Sequence, residues 1–152
     1  MKIYTVLALV IAGLTASTLS AAAPLPDREV YVVDAKSEGD IGYSRAVRVG
    51  RTLYLSGENS QAQGMEQQIK KTYEHLGKTL AHFGADFSCV VKETIYTTDI
   101  EALKAAIPAR KAFYGESFPA ATWVQISRLY SPENLLEVDI IAVLPEPAAV
   151  AK

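Results

Sequence analysis

Glu137 and Asp139 alternate with Leu136, Val138 and Ile140 in the run Leu136-Glu137-Val138-Asp139-Ile140-Ile141-Ala142-Val143. A strand puts residues two apart on one face, so the two carboxylates project together, opposite an apolar face. A carboxylate facing a cleft can hold a water molecule or accept a bond from a ligand amine, which makes Glu137 the candidate catalytic residue. The structural alternative for Glu137 is an ion pair with Arg128 on a neighbouring strand. Asp139 is a solvated or interface charge unless both acids approach one cavity, where their repulsion would raise one pKa and create an acid/base pair.

Residues 118–128, Phe-Pro-Ala-Ala-Thr-Trp-Val-Gln-Ile-Ser-Arg, read as the preceding strand, with Thr122, Val124, Ile126 and Arg128 on one face. The turn formers Ser131-Pro132-Glu133-Asn134 then predict a hairpin or near-hairpin with the acidic strand. Tyr43 follows Gly42 in a loop, where a phenol could reach over a cleft or simply pack. Ser56-Gly57 ends a strand, and a glycine there would let a ligand approach the backbone and take a bond from its amide. Trp123 either lines a pocket or fills core or interface space.

Other reactive residue types form no constellation. His75 and His82 share a helical face with Lys71 and Lys78, which reads as a solvent face, and no Cys or carboxylate joins them at ligand spacing, so no metal or other cofactor is expected. Cys89 is the single cysteine; it cannot form an intramolecular disulfide and, with no Lys or His beside it, reads as a buried inert thiol. There is no phosphate-binding loop, dinucleotide fingerprint or nucleophile elbow.

Taken together, Phe118-Pro119-Ala120, the strand after it, Arg128-Leu129, the turn and the alternating acidic strand resemble the end of the RidA family, also called YjgF/YER057c/UK114. Gly42-Tyr43 and the segment Gly50-Arg51-Thr52-Leu53-Tyr54-Leu55-Ser56-Gly57 resemble its early hairpin. The likeness covers roughly residues 30–143. It implies a trimer of chorismate-mutase-like fold with ligand clefts between subunits. It also implies roles for Glu137 in positioning the water that attacks an imine carbon, and for Tyr43, Ser56 and Gly57 in binding. In the deaminating members an arginine directly after Phe-Pro-Ala binds the substrate carboxylate; here that position is Ala121. A family asparagine falls on Ile107. Loss of a charge-assisted bond of roughly 1.5–3 kcal/mol would weaken a carboxylate substrate by about one to two orders of magnitude. The resemblance therefore implies a small-metabolite binder whose Arg-dependent 2-imino acid deaminase activity is lost or altered. The alternative is an imine or enamine deaminase for a substrate without a carboxylate.

The elements that must position these residues follow from periodicity. Strands are expected at 30–35, 45–49, 52–56 and 88–97, with Ser37 to Asp40 a loop and Gly50-Arg51 a tight turn. Met65, Ile69, Thr72, Tyr73, Leu76, Leu80 and Phe83 recur at helical spacing, predicting a helix over 62–83 stopped by Gly84. Asp99 should cap a second helix to residue 114, which Pro108 either kinks or restarts. The order is α+β, a mixed sheet with two helices on one face, and an uncovered second sheet face predicts an oligomer, which the family resemblance implies is a homotrimer.

At 152 residues and 49% hydrophobic content the chain suits one domain, expected over 30–144. Lys2, an uncharged apolar run to Leu14 and the small residues Ser20-Ala21-Ala22-Ala23 have the layout of a signal peptide over 1–23, cut after Ala21, Ala22 or Ala23, and so predict a periplasmic or secreted protein. An uncleaved anchor is the alternative. Residues 24–29 read as a lead-in and 145–152 as a flexible tail. The formal charge of −2, with no basic stripe, excludes a phosphate-neutralising nucleic-acid binder. No membrane partner is expected once the leader is removed.

Overall fold

The computed structural model describes residues 27–146; the expected leader, the first three lead-in residues and tail residues 147–152 lie outside them. In chain order the elements are β1 (Arg28–Tyr31), α1 (Ala35–Asp40), β2 (Ala46–Val49), β3 (Thr52–Glu58), α2 (Met65–His82), β4 (Val90–Thr97), α3 (Ile100–Ala105), α4 (Ile107–Tyr114), β5 (Ala120–Gln125) and β6 (Leu136–Val143).

Strict alternation gives β6 its place. Leu136, Val138, Ile140 and Ala142 are each 0% exposed, and the strand lies between β3 and β4 in a six-stranded sheet ordered β1-β2-β3-β6-β4-β5. Met65, Ile69, Tyr73, Leu76 and Leu80 form the buried stripe of α2, packed with Leu53, Leu55 and Ile95 of the sheet into one core. This is the expected α+β architecture. Among the described residues no helix is long and apolar enough to cross a membrane.

Several expectations need correction. The last two strands do not form a hairpin: β5 runs parallel to β4, whereas β6 pairs antiparallel with β3 and β4. The parallel pair needs a long crossover, and α3 and α4 supply it. Residues after Gln125 then return across β4 to reach β6. The first strand, Arg28–Tyr31, begins two residues inside the expected lead-in and stops four residues short of the expected end, because the Asp34 carboxylate accepts from the amides of Lys36 and Ser37 at 3.0 and 3.3 Å and starts α1 where a loop was expected. Cys89 ends a single 3-10 turn, Phe87–Cys89, ahead of β4, and is only half-buried.

Asp99 does cap α3, accepting from Ala102 N at 2.9 Å. The backbone breaks at Ala106, and Pro108 lies in the first turn of the restarted α4, where its missing N–H costs little. The sheet is thus served by more helices than the two expected.

Candidate functional site

Glu137, Gly57 and Tyr43 come together at the end of β3, in a cleft of ≈ 500 Å³ that Glu38, Arg45, Glu58, Asn59 and Tyr130 also line. The pairing of β3 with β6 slips between Leu55 and Glu58. This bulge carries Gly57 directly beneath Glu137: a Cβ on Gly57 would lie 2.8 Å from Glu137 Cδ and 2.9 Å from Cγ. Glu137 Oε2 accepts from Asn59 Nδ2 at 3.3 Å, while Oε1 has no hydrogen-bond donor among the described residues. One carboxylate oxygen is anchored by Asn59, and the other rests against Gly57 without a protein donor.

The Tyr43 hydroxyl donates to Gly57 O at 3.4 Å. Burial pushes its pKa upward, against the pull of Arg45, so the phenol is a neutral donor. In the cleft wall, Arg45 bridges two buried acids, Glu58 and, at 3.3 Å, Glu38. His75 Nδ1 lies 3.2 Å from Glu58, and His82 stacks on Tyr31 with ring centroids 3.9 Å apart. Neither histidine is simply a solvent residue. No cluster that could hold a metal occurs among the described residues.

Other expected residues lie elsewhere. Ser56 does not line the cleft; its hydroxyl donates to Ser44 O at 2.7 Å, beside the Tyr43 phenol. Arg128 donates to Tyr130 O rather than to Glu137, because β5 ends before it and the two are not strand neighbours. Asp139 does not line the cleft; burial raises its pKa, while Thr94 and Lys92 pull it down.

Ala121 and Trp123 belong to a different environment within the chain. Ala121 is in register with Glu93, and Trp123 with Ile95, on the helix-covered face of the sheet. There Glu93, 0% exposed, receives Arg110 Nε at 2.8 Å, the Tyr73 and Tyr114 hydroxyls at 2.6 and 2.7 Å, and Trp123 Nε1 at 3.2 Å. Burial, and then the Glu93 charge, raise the pKa of both tyrosines. Sequence reasoning missed this cluster, although Glu93 shares the inward phase of β4 with Ile95, and a charge on an apolar phase signals a buried partner. It also missed Glu38, Arg45, Glu58, Asn59 and Tyr130, which only the bulge and α1 bring to the cleft.

Comparison with known proteins gives a consistent result. The family model described as Endoribonuclease L-PSP matches residues 35–144. The chain is similar to human 2-iminobutanoate/2-iminopropanoate deaminase, 32% identical over 118 residues that make up 72% of this chain and 85% of the relative. A solved YjgF/YER057c/UK114 member from Mycobacterium tuberculosis superimposes with a TM-score of 0.73 at 25% identity, covering 78% of this chain and 100% of that one. RidA from a Psychrobacter species gives 0.64 at 26%, over 67% and 88%. The matched segment carries the cleft, nearly the whole sheet and every described helix, and the chain belongs to the RidA (YjgF/YER057c/UK114) family.

Proposed function

We propose that this protein is exported, assembles as a homotrimer, and takes a small metabolite into clefts between subunits, with the imine chemistry of its relatives altered at Ala121. The observation that carries the reading is Glu137, which lines the cleft, fixed through Oε2 by Asn59 and seated on Gly57 with no donor on Oε1 among the described residues. Support for assembly comes from the sheet face without helices, where Tyr54, Val143 and Val124 are 48%, 39% and 37% exposed. Assembly would also let the β5 edge of one subunit, with Ala121 and Trp123, meet the Glu137 cleft of another. The leader-like residues 1–23 support export, and the N-terminal residue of protein recovered from a secreting host tests it.

The free Oε1 also favours a second reading, hydrolysis of a small imine. Water held by Glu137 adds its oxygen to the imine carbon while a water proton passes through the carboxylate to nitrogen. The new hydroxyl then gives its proton, through the same carboxylate, to the amine nitrogen as the C–N bond breaks; ammonia leaves and a carbonyl compound remains. Relatives are named as deaminases of this type. The test is hydrolysis of amino-acid imines made in situ, with semicarbazide trapping the imine that escapes, for the unmodified protein, Ala121→Arg and Glu137→Gln. Activity in the unmodified protein that Glu137→Gln abolishes supports the enzyme. Activity only after Ala121→Arg supports a binding protein on a deaminase scaffold, and hydrolysis indifferent to Glu137→Gln overturns the role of that residue.

A further inference from the structure

We infer that the Glu137 cleft selects a small cation, a protonated amine or iminium on a short apolar chain, and turns carboxylates away. The cation occupies the cleft proposed above for the metabolite, and its assignment rests on that reading. Within one chain, four carboxylates line the cleft, those of Asp34, Glu38, Glu58 and Glu137, against a single cation, Arg45. Arg45 is already occupied: Nη1 donates to Glu58 and Nη2 to Glu38, both buried acids. One guanidinium shared by two acids leaves no unpaired fork with which to hold a ligand anion. The other two carboxylates are held by neutral donors, Asp34 by the amides of Lys36 and Ser37 and Glu137 by the side chain of Asn59, so their charges stay uncompensated.

The rest of the cleft suits such a ligand. Tyr130, exposed, adds an aromatic wall of the kind that attracts cations. Val33 and Ile41 give an apolar rim for a short alkyl chain, and a volume of ≈ 500 Å³ is that of a small-molecule site. Ala121, which the proposed assembly would bring to the cleft from a neighbour, adds no positive charge. On the hydrolytic reading the same negative field holds an imine nitrogen protonated, the form that water attacks most readily; iminium and water then give a carbonyl compound and ammonium.

The test is NMR on the purified protein at neutral pH. The Gly57 amide and the Asn59 side-chain amide are followed during titration with butylammonium chloride, sodium butanoate and 1-butanol in turn. Expected is a saturable shift with butylammonium that weakens as salt is added, and binding of butanoate and butanol weaker by about tenfold or more, the loss that follows from forfeiting a charge-assisted bond. Glu137→Gln should weaken butylammonium binding by about the same factor. Asp34→Asn, which keeps a capping side chain on α1, should weaken it less, because Asp34 is exposed. Butanoate binding as tightly as butylammonium, no shift with any of the three, or variants that bind butylammonium as before overturn the proposal. If Glu137→Gln does not fold, Asp34→Asn and the comparison of the three ligands on the unmodified protein decide it. Butylammonium binding without imine hydrolysis keeps the cation site and removes only the enzymatic reading, whereas hydrolysis of amino-acid imines without butylammonium binding keeps the enzyme and removes the cation.

Discussion

Gly57 and Glu137 occupy one another's space: the carboxylate side chain rests where a Cβ on Gly57 would be, 2.8 Å from Glu137 Cδ. Gly57 is not among the residues of positive φ, so alanine would be tolerated by the backbone and opposed only by the carboxylate. Gly57→Ala should therefore swing Glu137 off the cleft floor and break its bond from Asn59. If imine hydrolysis runs through Glu137, the rate should fall by about a hundredfold, the penalty for displacing a catalytic group by an ångström or so. Thermal unfolding should move little, because Glu137 is only half-buried. Steady-state kinetics beside a melting curve decide it; a large loss of stability with unchanged rate would refute the positioning role.

Glu93 and Arg110 form a buried pair whose members are 0% and 4% exposed. Arg110→Met strands a carboxylate in the core and should cost about 3–5 kcal/mol in urea unfolding. Adding Glu93→Gln removes the stranded charge and should recover a good part of that loss. Additive effects in the double variant would show that the pair does not act as a unit.

Tyr73 and Tyr114 both donate to Glu93, and their pKa values lie above the ordinary 10.0 of a phenol. The sign follows from linkage. In the unfolded chain these phenols ionise near their ordinary value, whereas the folded state holds them neutral. Their contribution to stability is therefore complete below that pH and is lost as pH rises through and beyond it. Tyr114→Phe should flatten this alkaline loss of stability, though one bond to Glu93 goes with it. Urea midpoints between pH 8 and 11 measure the effect, and tyrosinate absorbance from these two residues should appear together with unfolding.

Local pattern showed most of the fold. The buried stripe of α2, the alternation of β6 and the Asp99 cap are written in residue spacing, which fixes faces and ends without reference to the rest of the chain. Strand neighbours were a different matter. Ser131-Pro132-Glu133-Asn134 has turn composition, but composition cannot say that the chain crosses β4 before β6 begins. Half of the candidate site shared that fate. Gly57 and Glu137 meet because the adjacent strands β3 and β6 carry them, and Tyr43 reaches them from the loop before β2, whereas Ala121 and Trp123 stand on the other face with Arg110, a residue that no strand pattern connects to them. Asp34 misled in the opposite direction, since its side chain starts a short helix in a segment too polar and too brief to show helical periodicity.

That separation makes a prediction about assembly. If one subunit provides Glu137 and its neighbour the β5 edge, Glu137→Gln and Ala121→Glu damage opposite halves of each cleft, and neither variant alone should hydrolyse imines. A trimer built from both contains some clefts in which the intact half of one variant faces the intact half of the other. Random mixing at equal amounts would restore about a quarter of the sites, as each half is drawn independently around a closed ring. The two variants should therefore regain activity when unfolded and refolded together, but not when merely combined after folding. No recovery on co-refolding would leave the β5 edge out of the reaction.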